Sequence, residues 1–334
     1  MSGRPLVSVI MPVRNCGDWL APAVDSILGQ TVEDLELLII DDHSFDGSVE
    51  RLPQDPRLRI FRHAGNGIVA SLNAGLIRAR GEFIARMDGD DISVPERLQR
   101  QLHFAKDNPD IAIVGGLVDI FSDDGDIQAG NRAYQAWLNG LLTADDIERE
   151  LFVESPLVHP SVLIRREVFK RIGLYRDLSW PEDYDLWLRA SLAGLRFAKV
   201  PELVLMWREH PARLTNTDKR YSRKEFIKAK AWAMSESVLR NRPAIICGTG
   251  KLAVKLCDVL QRLGVAVMAF VDIAPDNIGK SRRGLPILSY DDMLDMRQDA
   301  LIVGALGARG AGEALRELLL LSGLHEGRDF LLAG

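Results

Sequence analysis

Long apolar runs are the first thing this 334-residue sequence lacks. No stretch approaches the roughly 20 apolar residues of a membrane span, and the run at residues 6–13 is too short and too soon interrupted for a signal peptide. Any membrane contact is therefore expected to be peripheral. Cysteine is scarce as well: Cys16, Cys247 and Cys257 have no metal-ligand spacing and make no disulfide framework, which fits a reducing, cytoplasmic setting. An excess of positive charge is also missing. A net charge of -5 and a pI near 5.8 remove the overall electrostatic drive toward nucleic acid. With 47% hydrophobic and 27% charged residues, the composition is that of a soluble folded protein long enough for two domains.

The first half alternates short β-branched apolar runs with helical patterns. Residues 6–13, 35–41, 58–61 and 82–87 read as strands, with helices at 18–28 and 68–80, the second ended by Gly81. This βαβα order implies an α/β fold with a mainly parallel sheet covered on both faces. A helix over 95–107 follows, with Pro95 in its first turn and Ser93 as a nearby cap. Residues 119–131 turn polar and read as a loop or hairpin, and 133–152 resume a helical period. A strand at 161–164 and a helix at 183–193 lead to a basic stretch, 219–238, and the domain boundary is placed at 240/241. Beyond it, strands at 244–247, 265–271 and 300–304 alternate with helices to 263 and over 309–321, a smaller Rossmann-like unit of residues 241–334.

Ligands in parallel α/β sheets gather at the carboxyl ends of the strands, so the polar residues there carry the chemistry. Three such ends stand out: Pro12-Val13-Arg14-Asn15, Asp41-Asp42-His43-Ser44 and Asp88-Gly89-Asp90-Asp91. Three carboxylates within four residues repel one another unless a cation is present, and their hard oxygens are the ligands Mg²⁺ or Mn²⁺ prefers. The plain alternative is an Asp-Gly turn with a solvated acidic tip. Likewise Asp42 alone reads as an Asx-turn carboxylate, and Glu182-Asp183 as dipole-compensating residues at a helix start.

The ordered set of motifs goes further than any one of them. VSVIMPVRN at 7–15, Gln30-Thr31, LELLIIDDHSFDGS at 35–48 and NGIVASLNAGLIRARGEFIARMDGDD at 66–91 are followed by PERL at 95–98, HPSVLIRR at 159–166, WPEDYDLWLR at 180–189 and WREH at 207–210. Together they resemble family 2 glycosyltransferases of the GT-A fold. The resemblance implies an inverting, metal-dependent transfer of a sugar from a nucleotide-sugar donor, UDP- or dTDP-linked, to a hydroxyl of a saccharide or lipid-linked acceptor in cell-surface polysaccharide synthesis. It implies that Asp42 reads the base, that Pro12 and Arg14 pass under the nucleotide, and that Asp88 lies near the ribose and diphosphate. Asp90 leads as metal ligand, with Asp88 and His210 beside it, and Asp91 able to replace either aspartate. Arg208 is expected near phosphate, Trp180 against the acceptor, and Asp183 as the general base with Glu182 as second choice. Asp185 is expected only to compensate the helix dipole, Trp187 to pack in the core, and His159 to shape the acceptor side, with core packing as its stronger alternative.

In the last 90 or so residues, Gly248-Thr249-Gly250-Lys251-Leu252-Ala253 follows a strand and opens a helix, and Asp272 ends the next strand. That region resembles the nucleotide-binding domain that precedes some sugar acyltransferases, which suggests a regulatory nucleotide site at Gly248, Gly250 and Asp272, or a homo-oligomer interface. The basic stretch, with Phe226, Ile227 and Trp232 interleaved, either lies on an anionic membrane or is a helix packed between the domains. Two rivals to a transferase are a sugar nucleotidyltransferase, disfavoured by the lack of a Gly-rich phosphate loop after the first strand, and a non-catalytic nucleotide-sugar sensor.

Overall fold

The computed structural model describes residues 3–63, 65–297, 299–308 and 310–334. The chain forms two compact units, each with its own sheet.

The first unit comprises residues 1–147, 156–178 and 185–217. Its strands are β1 (Val7–Val13), β2 (Leu35–Asp41), β3 (Leu58–Arg62), β4 (Phe83–Arg86), β5 (Ile92–Ser93), β6 (Ile111–Phe121), β7 (Leu163–Arg165) and β8 (Arg196–Arg208). They lie in the order β3-β2-β1-β4-β7-β6-β8-β5. Only β5 and β7 run against the others, so six strands deliver their carboxyl ends to one edge. β1 and β2 are buried along their whole length, as the continuous apolar runs require of a sheet covered on both faces. The helices Leu20–Leu28 and Arg97–Asp107 bury Leu20, Val24, Ile27, Leu98 and Ala105 in the same core as Val9, Met11, Leu37 and Ile39.

Several local expectations give way to tertiary contacts. Gly81 does not end the second helix, which spans Ile68–Arg78 and closes at Ala79 in extended conformation. Gly81 is needed because a Cβ there would lie 2.5 Å from the Ser8 amide nitrogen and 2.7 Å from the Val7 carbonyl carbon, while its own N–H donates to Ser8 Oγ at 2.7 Å. Ser93 caps nothing. The helix Arg97–Asp107 is instead served by buried Gln30, whose Oε1 accepts the Leu98 N–H at 3.0 Å and whose Nε2 donates to the Val94 carbonyl at 2.7 Å. The 133–152 region is two helices, Ala129–Gly140 and Ala144–Glu150, and the polar stretch begins later than expected because β6 continues to Phe121. β8 is not apparent in the sequence because Pro201 and Glu202 interrupt it. The register with β6 passes from Val200 opposite Gly116 to Leu203 opposite Leu117, so the two form an exposed bulge, and the register shifts once more before Leu205 meets Val118.

The second unit comprises 148–155, 179–184 and 218–334. Its strands are β9 (Ala244–Cys247), β10 (Val267–Val271), β11 (Ser281–Arg282), β12 (Leu285–Leu288), β13 (Leu301–Gly304) and β14 (Phe330–Leu332), in the order β11-β12-β10-β9-β13-β14. Without the short antiparallel β11, the five parallel strands follow the doubly wound order 3-2-1-4-5, with a switch point between β9 and β13. Of the expected helix over 309–321, Arg309 lies outside the described residues and the helix spans Ala311–Leu321. The basic stretch forms the helix Arg223–Glu236, which packs within this unit: Ile227, Ala231 and Met234 join the core of β9 and β13, and Phe226 lies 5.3 Å from the Tyr184 ring. Its apolar residues are therefore committed to the unit's interior rather than to a flat outer face. No helix among the described residues is long and apolar enough to cross a membrane.

Two buried lysines titrate well below the usual lysine range. Burial lowers Lys199 to about 7 and Lys230 to about 8, each from 10.5, while their ammonium groups donate to the carbonyls of Leu138 and of Val153 and Ala333. A lysine whose folded pKa is depressed costs stability fully below that pKa. The cost falls away as pH rises toward the unfolded value, because the unfolded chain then binds more protons. Lys199→Met should therefore gain more stability over the parent at pH 6 than at pH 10, measured by urea unfolding, and a pH-independent difference would show that the buried amine is not the cause. Gly81→Ala should lose roughly 1–3 kcal/mol in the same assay.

Candidate active site

The carboxyl edge of the large sheet gathers four groups of side chains. From β2 comes Asp42, buried, with its N–H on the Val13 carbonyl at 2.8 Å. Its Oδ2 accepts from the Gly67 amide at 3.0 Å and from Arg14 Nη1 at 3.3 Å. Its Oδ1 is buried and accepts no hydrogen bond, with His63 Nε2 3.7 Å away. Asp41 is fully buried and turned the other way, onto Arg62 Nε at 2.8 Å and the Ser44 amide at 2.9 Å, so of the Asp-Asp pair only Asp42 offers an acceptor. Pro12 is buried in β1 opposite Ile40, just beyond the last residue paired with β4, where its missing N–H costs no ladder bond.

β4 leads directly into the acidic loop. Asp88, Asp90 and Asp91 each offer a carboxylate oxygen, and these oxygens lie within 4.8 Å of one another. Each has a different counter-group. Asp88 is ion-paired with the buried Arg86 two residues back on the strand. Asp90 Oδ2 lies 2.9 Å from His210 Nε2, and Asp91 Oδ1 accepts the Arg208 amide at 2.8 Å. Burial pushes the Asp91 carboxyl well above the usual range, and the charges of Asp88 and Asp90 add to this. Burial also raises Asp88, against the opposing charge of Arg86. For Asp90 the upward effect of burial is outweighed by the hydrogen bond and charge of His210, with Arg213 and Arg86 contributing, and its carboxyl falls below the usual range.

The set fits a hard divalent cation. Three convergent carboxylates destabilise one another's ionised forms, and the Asp91 Oδ2 atom is buried with no donor to satisfy it. His210 reaches the cluster through Asp90. Its Nδ1 is buried without a partner, and its ring packs 4.3 Å from that of Trp19.

Arg208, expected near phosphate, already has several partners within the protein. It is buried, its Nε donates to the Asp90 carbonyl at 2.7 Å, and its Nη1 is ion-paired with Asp123. The guanidinium also lies over the rings of Phe121 and Trp19, at 4.5 and 5.5 Å, and Trp19 Nε1 donates to Asp123 at 2.9 Å. It is a strut tying the end of β8 to the acidic loop and to the residues after β1 and β6. Arg86, Trp19, Asp123, His63 and Arg213 escaped the sequence reading. For Arg86 a signal was present, since an arginine two residues before an aspartate on a strand shares its face, whereas nothing local marked Asp123 among several loop aspartates.

In the WPEDYDLWLR segment the two acids of the Glu182-Asp183 pair differ in exposure. Glu182 is buried, with the Tyr221 hydroxyl 2.9 and 3.0 Å from its two oxygens and Arg220 Nη1 at 3.8 Å. Asp183 is half-buried, and its Oδ1 accepts the Tyr184 amide at 2.7 Å. Trp180 stacks on Trp232 with ring centres 6.2 Å apart, a partner the sequence did not suggest. Asp185 is not a solvent-facing helix-dipole group: it is fully buried between Arg176 and Arg189, and Arg189 continues to the carbonyls of Ile172 and Leu174. Trp187 and His159 are core residues, with His159 Nε2 2.8 Å from the Tyr175 hydroxyl and its pKa held well below 6.5 by burial and by Arg86.

In the second unit Gly248 ends β9 at the switch point with φ +111°, and a Cβ there would meet the Ala305 carbonyl oxygen at 2.7 Å. Gly250 faces open space at the start of the helix Lys251–Arg262. Asp272 accepts from the Thr249 hydroxyl, the Ala274 amide and Asn277 Nδ2. Burial acts upward on its carboxyl, and these bonds bring it below the usual range.

An α/β sheet of this order, with an acidic loop after β4 and a buried carboxylate after β2, is that of a GT-A glycosyltransferase. The comparisons agree and give the family: residues 8–173 match the model for glycosyl transferase family 2, and the chain belongs to that family. An uncharacterized glycosyltransferase of Haemophilus influenzae is 32% identical over 219 residues, covering 63% of this chain and 67% of its own. The putative glycosyltransferase EpsE of Bacillus subtilis is 31% identical over 218 residues, covering 63% and 75%. Among solved structures, S. aureus TarS 1–349 in complex with UDP-GlcNAc superposes with a TM-score of 0.53 at 17% identity, over 77% of this chain and 72% of that one. The mannosyltransferase PcManGT from Pyrobaculum calidifontis, in complex with GDP-Man and Mn²⁺, gives 0.50 at 18% identity, over 78% and 69%. The protein is thus a family 2 glycosyltransferase.

Asp185→Ala should cost about 3 kcal/mol or more in equilibrium unfolding, because it strands Arg189 in the interior. A loss below about 1 kcal/mol would instead mean that the triad behaves as a surface pair.

Proposed function

We propose that the chain transfers a sugar from a UDP- or dTDP-sugar to a hydroxyl of a saccharide or lipid-linked acceptor, with inversion at the anomeric carbon. The observation that carries the choice of base is the state of Asp42. One of its oxygens is occupied by Gly67 and Arg14, and the other is buried and free. A single free acceptor flanked by N–H donors complements the imide edge of uracil or thymine, whose N3–H lies between two carbonyls. Guanine, which presents two adjacent donors, would need both oxygens of the carboxylate.

Asp90 and Asp91, with Asp88, would hold Mn²⁺ or Mg²⁺. When bound, that ion neutralises the charge building on the departing diphosphate. His210 then serves to orient Asp90, and Arg208 holds the loop rather than the phosphate. Asp183 takes the proton of the acceptor hydroxyl as its oxygen forms the new bond to the anomeric carbon, and the old bond to the diphosphate oxygen breaks, releasing the nucleoside diphosphate. Two things support Asp183 over Glu182: the match of the WPEDYDLWLR segment, and the greater exposure of Asp183 beside a Glu182 held by Tyr221. A role in cell-surface polysaccharide synthesis rests on the family resemblance. For the second unit the reading is a regulatory nucleotide at Gly248, Gly250 and Asp272, supported by the switch-point position and the open space at Gly250.

Asp183→Asn should keep donor affinity within about threefold while transfer falls by at least 10²-fold. Residual transfer above a tenth of the parent rate sinks the base assignment. In calorimetry with Mn²⁺, UDP should bind at least tenfold more tightly than GDP, and Asp42→Ala should erase that preference; equal affinities overturn the reading of Asp42.

A further inference from the structure

At the opposite edge of the large sheet, where β1, β2 and β4 begin, lies a second cavity of about 410 Å³. Its walls include Arg4 before β1, Asp34 before β2, Glu82 before β4, and Arg166 and Lys170 of the helix Arg166–Ile172. With seven residues in β1 at ~3.3 Å each, roughly 20 Å separate it from the acidic loop.

Of the cations on its walls, Arg80 is paired with Glu36 and Arg165 donates to the carbonyls of Ile111 and Ala105, whereas Arg4, Arg166 and Lys170 have no acidic partner among the described residues. Arg166 Nε donates to the Gly81 carbonyl at 2.5 Å, but its Nη2 is buried and has no acceptor. Glu36, the acid whose charge reaches Arg166, is saturated by Ser8 at 2.7 Å, Arg59 at 2.7 Å, and the Arg80 amide and side chain at 2.8 and 3.0 Å. Arg4 and Lys170 enter no ion pair among the described residues, and the carboxylates of Asp34, Glu82 and Glu167 on the walls pair with none of the three cations. Like charges held close, with one buried N–H unsatisfied, are at lowest energy with an oxyanion between them.

We propose that this cavity binds a phosphate-bearing small molecule, its oxyanion held by Arg166, Arg4 and Lys170, at a site separate from the sugar-transfer centre. A guanidinium with an unpartnered N–H suits a phosphate oxygen, and the volume admits a ligand the size of a sugar phosphate. The wall carboxylates then accept hydrogen bonds from hydroxyls on the rest of the ligand. The phosphate comes either from a free metabolite or from a lipid headgroup, and both present the same group to the arginines.

The test is calorimetric titration of pyrophosphate into the full chain without divalent cations. Binding should persist in Asp90→Asn, which alters the transfer site, and weaken at least tenfold in both Arg166→Gln and the exposed Lys170→Glu, with thermal melts confirming that each variant folds. Co-sedimentation with phosphatidic acid vesicles, reduced by Lys170→Glu, would assign the headgroup as the source. Pyrophosphate binding without co-sedimentation would assign a free phosphate. The proposal falls if neither probe binds at millimolar concentration, if Lys170→Glu and Arg166→Gln leave binding unchanged, or if Asp90→Asn alone abolishes it.

Discussion

Three carboxylates crowded into four residues at the end of β4 are the constraint around which the first unit is organised. Their mutual repulsion destabilises the ionised forms, and burying them unpaired would cost several kcal/mol each. The fold gives each one a separate counter-group. Arg86 arrives from the same strand, His210 and the Arg208 amide from the end of β8, and the Asp91 Oδ2 atom is left over for a cation. The order β4-β7-β6-β8 matters here because it brings residues some 120 positions apart in the chain to one edge.

The loop's shape is maintained from beneath by buried polar groups. Gln30 fixes the chain just after the aspartates by bonding to Val94 and Leu98, while Arg97, fully buried, donates to the carbonyls of Arg86 and Val162. Burial, with the neighbouring Arg86 adding and Asp91 opposing, lowers Arg97 to about 9. Such a site is preorganised: its donors and acceptors are set before ligand arrives, so little reorganisation remains for the reaction. The Trp19–Asp123–Arg208 contacts extend the same logic to the rim.

Much of this was legible in the linear sequence. β1, β2, β4 and β9 follow from short apolar β-branched runs, and the acidic loop and Asp42 from their places at strand ends. β8 was not, because a proline and a glutamate interrupt its pattern at a bulge that only pairing with β6 explains. Ser93 and Gly81 carried sound local signals for a cap and a helix stop, yet longer-range partners took both. Asp185 looked like one more acid at a helix start until Arg176 and Arg189 enclosed it.

The sequence by itself determined the α/β class, the family and the cluster of acids, since hydrophobic periodicity and strand-end chemistry are local and survive in one dimension. What each charge faces is settled by the fold alone: Asp42 keeps one oxygen free while Asp41 keeps none, Arg208 braces the loop, and the Nη2 of Arg166 is left without an acceptor. Ionic and hydrogen-bond partners are selected by distances of 3–4 Å in the folded state, and sequence separation carries almost no information about those.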